Sequence, residues 1–214
     1  MMSKAIAIFD FDGTLIAGDS LLPFLERVVG KRKARFAMVR SLRAAVMRAS
    51  RGKGGDIRTQ VKAGLLARTL KGVPAEKAQQ AADDLAGWLR WHPPTLNALR
   101  RHADKGHRVI VATGALALYM PRLLADLPVD GLMATEMESV DGVLTGHMQG
   151  GNCVRDEKAR RVAELLESDG PFTTTYGYGN RPSDLPFLAL MQHPTIVPTV
   201  GRRGKPKPGT DDAE

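Results

Sequence analysis

Ile6-Ala7-Ile8-Phe9-Asp10-Phe11-Asp12-Gly13-Thr14-Leu15 is the most informative stretch of this chain. Its apolar start predicts a buried strand, and two acids one residue apart end that strand. Side chains alternate faces along a strand, so Asp10 and Asp12 share a side for as long as extended geometry persists. Two carboxylates crowded at a strand end repel each other unless a cation or a proton sits between them. Gly13 lets the chain leave the strand at backbone angles that other residues avoid. Such a pair suits a hard cation such as Mg²⁺ and leaves one carboxylate free to attack an electrophile.

Beyond Leu15 the pattern changes from strand to helix. Asp19 or Ser20 can cap a helix whose apolar face is Leu21, Leu22, Phe24 and Leu25. No strand is predicted between Gly30 and Trp91. Phe36, Val39, Leu42 and Val46 recur at helical spacing, and packing this stripe inwards is the expectation. Ile57, Val61, Leu65, Leu66 and Leu70 mark the next helix, and Ala78, Ala82, Leu85 and Leu89 a third. Residues 19–91 therefore read as a helical domain inserted into a second unit formed by residues 1–18 and 92–200. That unit continues with a helix around Leu96 and Leu99, a strand over Arg108–Ala112, a helix over Leu116–Leu124 and a strand over Gly131–Ala134. A hairpin turns at Asp141-Gly142. Then come a helix over Glu157–Leu166, a strand over Thr173–Tyr178, a helix over Leu185–Met191 and a last strand at Thr195–Val197. Strands alternating with helices predict an α/β fold with a doubly wound parallel sheet, whose ligand crevice lies beyond the carboxyl ends of the strands. Residues 201–214 lack apolar content and read as a disordered tail.

Bulk properties narrow the field. The chain has 214 residues, enough for one core and an insertion, and no apolar run reaches membrane-spanning length. Its start, Met1-Met2-Ser3-Lys4, leads straight into the first strand, so no signal peptide is expected and the cytoplasm is the expected location. A single cysteine, Cys153, excludes an internal disulfide and a cysteine-built zinc site. The net charge of +8 is concentrated in residues 31–53 and in Arg202-Arg203-Gly204-Lys205-Pro206-Lys207, and can steer anionic partners. The basic helix can also lie on an anionic lipid surface. Nucleic acid is a weaker expectation, because Phe36 is the single stacking aromatic in that helix. His92, His102, His107 and His147 have no metal-ligand spacing and read as surface or capping residues.

Three predicted strands end in groups suited to phosphoryl transfer. The first ends at Asp10 and Asp12. The second ends at Thr113-Gly114, just before a helix, where a hydroxyl and free N–H groups can hold phosphate oxygens. The third ends at Gly179-Asn180-Arg181-Pro182-Ser183-Asp184, which supplies oxygen ligands for a metal. Lys158, early in a helix, can neutralise charge on a transferring phosphoryl group.

Taken in order, Asp10-Phe11-Asp12-Gly13-Thr14, Thr113, Lys158 and Gly179-Asn180-x-x-x-Asp184 resemble the four motifs of the haloacid dehalogenase superfamily. The helical insertion between the first two motifs is similar to that superfamily's C1 cap. Asp19, Lys71-Gly72, Gly106-His107, Asp141 to Gly146 and Asn152-Cys153 make the chain similar to the phosphoserine-phosphatase-like subfamily. The resemblance implies a Mg²⁺-dependent hydrolysis of a small phosphomonoester. Asp10 would form an aspartyl-phosphate, and Asp12 would protonate the leaving alcohol and then activate water. Thr113, Gly114 and Lys158 would hold the phosphoryl oxygens, with Asp19 near the substrate. The implied metal set is Asp10, Asp12, Asn180 and Asp184. Arg58 and Lys62 fall where related enzymes place a partner for the substrate carboxylate. An amino-acid phosphate and a lipid or glycerol phosphate are both candidate substrates. Asn180 departs from the usual Asp and removes a negative charge from the site, which leaves a catalytically weak binding module as the rival reading.

Overall fold

The computed structural model describes residues 4–52 and 56–198. The terminal tail of the sequence reading lies outside the described residues. The central sheet has six strands: β1 (Ala5–Phe9), β2 (Arg108–Leu116), β3 (Gly131–Val140), β4 (Val143–Gln149), β5 (Thr174–Gly179) and β6 (His193–Ile196). Their order is β4-β3-β2-β1-β5-β6. All neighbours run parallel except β3 and β4, the hairpin. At the hairpin tip Asp141 (φ 50°) and Gly142 (φ 76°) are both left-handed, as a two-residue turn of this kind requires.

Alternation along the strands builds two cores. Ala7, Phe9, Val109 and Val111 face one way, towards α5 (Pro93–Asp104), α6 (Met120–Leu124) and the inserted helices. Ile6, Ile8, Ile110 and Ala112 face the other way and meet Val162 of α7 (Arg155–Asp169) and Phe187 of α8 (Leu185–Leu188). Burial on both faces explains why these parallel strands are apolar throughout. From β1 the sheet grows first through β2 and β3 and later, on the opposite side, through β5 and β6. This reversal puts a crevice at the carboxyl end of β1.

Between β1 and α5 lie four helices: α1 (Leu21–Val29), α2 (Lys31–Ala49), α3 (Ile57–Thr69) and α4 (Ala75–Ala86). The chain enters and leaves this segment side by side. Ala17 N donates to Arg90 O at 2.8 Å, and His92 N donates to Leu15 O at 2.8 Å.

Three expectations need correcting. The stripe Phe36, Val39, Leu42 and Val46 does not pack inwards; these residues are 50–63% exposed. The small face of α2, Ala34, Ala37, Ser41 and Ala45, is buried instead. Small residues let α2 and α3 approach closely, and a Cβ built on Gly64 of α3 would meet Ser41 Oγ at 3.3 Å. Second, β2 continues to Leu116 through an irregularity between Ala112 and Leu116, so Thr113-Gly114 lies within a strand and not at a helix start.

Third, His102 is not a surface residue. It is 8% exposed, with its Nδ1 2.8 Å from His107 Nδ1 and its Nε2 2.9 Å from the Tyr178 hydroxyl. Burial, followed by His107 and nearby cations, pushes its pKa down to about 4. An unfolded His102 takes up a proton near pH 6.5 and the folded one does not, so acid favours the unfolded chain. Its contribution is intact above pH 6.5 and is lost as pH falls towards 4. In denaturant unfolding, wild type should lose roughly 1–3 kcal/mol more than His102→Gln between pH 7 and pH 4.5. Equal losses would show that His102 titrates alike in both states.

Candidate active site

At the end of β1, Asp10 N still donates to Tyr178 O of β5 at 2.8 Å, so Asp10 is held at the strand's last rung. The chain then turns sharply. Thr14, Leu15 and Ile16 all donate their N–H groups to Phe11 O, and Gly13 takes φ 79°. The turn drops Phe11 into the core and returns Thr14 beneath Asp10, where its hydroxyl donates to Asp10 Oδ2 at 2.8 Å. It also separates the two acids. Asp12 Oδ1 accepts from Ser20 N at 2.9 Å, so this carboxylate faces the start of α1.

Lys158 is the buried centre of the site. It lies in the first turn of α7, only 2% exposed, and its Nζ donates to Asp10 Oδ1 at 2.8 Å and Asp184 Oδ1 at 2.6 Å. Burial works against its charge, but the two carboxylates outweigh burial and raise its pKa above the usual lysine value. Burial and then the Asp10 charge push Asp184 up to about 6, with Lys158 opposing. Asp184 Oδ2 accepts from Asn180 N at 2.8 Å. The loop that brings it there needs a glycine at 179, where a Cβ would lie 2.6 Å from Asp184 Cβ.

Asn180 stands over the oxygens of the first motif. Its Nδ2 is 2.8 Å from Asp12 O, 3.2 Å from Thr14 Oγ1 and 3.3 Å from Asp10 Oδ2. One atom thus occupies the point on which a carboxylate oxygen and a backbone carbonyl converge. Turning the amide over places Oδ1 there and completes an oxygen set suited to a small hard cation. Among the described residues, no group of three or more His, Cys, Asp and Glu could hold a metal, so any ion here would rely on carbonyl, amide and water oxygens as well.

The remaining sequence candidates reach the same cavity, of about 1100 Å³, between the sheet's carboxyl edge and α1–α3. Thr113 is buried and its Oγ1 accepts from Ala115 N at 3.0 Å. Gly114 packs so closely on α7 that a Cβ would meet Val154 Cγ1 at 2.6 Å. Asp19 is exposed and accepts from Leu21 N at 2.9 Å, a local capping bond, while lining the cavity. Arg58 lines the cavity as well. Asp12 is crowded by protein, and burial, then Asp19, then Asp10 raise its pKa well above the carboxylate range, with the Ser20 bonds opposing.

The resemblance singles out Lys62 and Asn152, whereas Thr59, Asp56, Thr135 and Arg155 are not visible as contributors in the sequence. Lys62 of α3 reaches across to the sheet, where it binds Gly114 O, Asn152 Oδ1 at 2.6 Å and Thr135 Oγ1 at 3.1 Å. Burial lowers its pKa to about 8, against the pull of Asp12, Asp19 and Cys153. Asn152 Nδ2 donates back to Thr59 Oγ1 at 3.0 Å, and Arg155 pairs with Asp56 at 3.0 Å. These contacts tie the first half of α3 to β2, β3, the loop after β4 and the start of α7. Nothing in the local pattern around Thr135 or Arg155 signals the role, which depends on long-range pairing.

Comparisons with known proteins give the family. The family model for haloacid dehalogenase-like hydrolases matches residues 7–189. Protein CicA of Caulobacter vibrioides is 30% identical over 86% of this chain and 82% of its own length. Phosphoserine phosphatase SerB2 of Mycobacterium tuberculosis is 26% identical over 87% of this chain, which spans 42% of that longer protein. A Bordetella pertussis protein of unknown function shares the fold, with a TM-score of 0.70 at 23% identity, covering 91% of this chain and 90% of its own. The chain belongs to the haloacid dehalogenase-like hydrolase family.

Proposed function

We propose that this chain is a phosphatase that hydrolyses a small phosphomonoester through an aspartyl-phosphate on Asp10. The observation that carries the reading is the buried contact of Lys158 Nζ with both Asp10 and Asp184 at the cavity floor. Lys158 and Thr14 leave Asp10 no freedom to rotate, which holds one carboxylate oxygen in a fixed line of attack. Lys158 supplies the positive charge that a phosphoryl group needs as its oxygens gain negative charge. The Thr113 hydroxyl and the Gly114 peptide offer further donors. Asp12, with its pKa raised, holds a proton to give to the leaving alcohol and, once ionised, can take one from water.

Mg²⁺ is the proposed cofactor, which Asp10, the Asp12 carbonyl, Asn180 and Asp184 would hold. When bound, it would screen the repulsion between nucleophile and phosphate. Helices α1–α4 serve as the cap that shields the reaction from water. An amino-acid phosphate and a lipid or glycerol phosphate both suit the cavity, whose lining combines polar groups with Leu21, Leu22, Ile57, Val61 and Trp88. A cytoplasmic location is part of the same proposal. Among the described residues, no helix is long and apolar enough to cross a membrane.

Asn180 gives the test. If Asn180 faces the ion, Asn180→Asp should reach half-maximal turnover of p-nitrophenyl phosphate at lower Mg²⁺ than wild type, because each anionic oxygen strengthens a hard-cation site. The added charge also faces Asp10 and Asp12, so in chelator the variant should melt several degrees lower. An identical Mg²⁺ dependence together with an identical melting point in chelator would remove residue 180 from the metal. No turnover by wild type across a panel of phosphomonoesters at saturating Mg²⁺ would favour the binding-module reading.

A further inference from the structure

The exposed face of α2 is unusual for a helix of a globular protein. Phe36, Val39, Leu42, Val46 and Met47 are each at least 50% exposed and follow one another at helical spacing along one side. The same helix carries five arginines and two lysines and no acidic residue. Among the described residues, Arg35 alone of these seven has a carboxylate partner, Glu26 at 2.7 Å. The Arg40 guanidinium lies 5.7 Å from the centre of the Phe36 ring, so positive charge sits directly beside the apolar stripe.

We propose that α2 docks this protein onto an anionic lipid surface. Two features select that partner. The apolar stripe needs an apolar medium, which nucleic acid phosphates do not provide, and Phe36 is its single aromatic residue. The unpaired arginines and lysines need negative charge beside that medium, and a second copy of the same helix would instead add like charge. A bilayer with acidic headgroups supplies both in the right arrangement. The side chains of the stripe enter the headgroup boundary while the long basic side chains extend to the phosphates. The buried face of small residues leaves α2 firmly packed on α3, so the helix docks as a ready-made surface and pays little ordering entropy. Leu42 belongs both to the stripe and to the wall of the cavity, so docking sets the cavity mouth beside the lipid surface.

Docking does not depend on the hydrolysis proposed above and is measured apart from it. The full chain is floated with vesicles of phosphatidylcholine containing phosphatidylglycerol, and with vesicles of phosphatidylcholine alone. Wild type should float with the anionic vesicles at low salt and be released at molar salt. Phe36→Gln combined with Val39→Gln and Val46→Gln should bind them at least about tenfold more weakly and keep its far-ultraviolet circular dichroism. Lys33→Glu combined with Arg40→Glu and Arg43→Glu, a charge change on the same face, should also fail to float. Wild type that stays unbound at low salt overturns the proposal, as does a stripe variant that floats like wild type. A wild-type dimer that the stripe substitutions split into monomers would assign the face to self-association and would overturn it as well.

Discussion

Lys158→Met should cost folding stability and turnover together. Its ammonium contacts two buried carboxylates, Asp10 and Asp184. Removing one member of a buried ionic cluster costs about 3–5 kcal/mol, because charges desolvated in the fold lose their partner. Here the stranded groups are acids, so the penalty has a pH signature. Without the cation that opposes it, the folded pKa of Asp184 rises further above its unfolded value near 4, and the folded chain holds on to a proton that the unfolded chain releases. Stability gained that way is present at low pH and disappears as pH rises through the raised value. The variant should therefore be closest to wild type near pH 5 and furthest from it near pH 8 in denaturant unfolding. Turnover should fall by roughly 10²–10³, as when a preorganised charge contact is lost. A stability loss under about 1 kcal/mol at pH 8 would mean that Lys158 is not compensating those carboxylates.

Asp10→Asn should behave in the opposite way, silent in folding and severe in catalysis. The cluster of Asp10, Asp184 and Lys158 carries one net negative charge, and the substitution makes it neutral. The Asn oxygen can still accept from Lys158, so unfolding should shift by no more than about 1–2 kcal/mol. Turnover of p-nitrophenyl phosphate should drop by at least about 10⁴, the scale on which loss of a nucleophile is felt. Turnover within tenfold of wild type would end the covalent mechanism. Measured side by side, the two variants separate the structural work of the cluster from its chemistry.

Much of this was legible in the sequence because the first motif is local. Residues 6–15 contain the strand, the acids, the glycine that permits the turn and the threonine that returns beneath Asp10. The parallel sheet followed from the alternation of apolar runs with helical periodicity. What escaped depends on partners distant in the chain. From sequence β2 ends too early, because Thr113-Gly114 looks like punctuation until pairing with β3 carries the strand on to Leu116. Hydrophobicity alone predicts an inward α2 stripe, because apolar residues usually face a core. Contact with α3 instead chose the small residues, whose close packing outweighed hydrophobicity. Lys62 is legible through the resemblance as a candidate partner for a substrate carboxylate, but its bonds to Gly114, Thr135 and Asn152 arise only when β2, β3 and α3 come together. Asn180 was legible as a departure, yet not as a donor spanning Asp10, Asp12 and Thr14.

The bonded pair of crossings, Ala17 to Arg90 and His92 to Leu15, bears on how such a protein can change over evolutionary time. Because the chain departs and returns at the same spot, the sheet gives up almost the same entropy whether the excursion is long or short. Everything between those residues can lengthen, shrink or be exchanged while the end of β1 and the starts of α7 and α8, which hold Asp10, Lys158 and Asp184, keep their places. On the proposed function, selectivity and chemistry would be inherited through separate stretches of one chain, and a new specificity could be acquired without rebuilding the reaction.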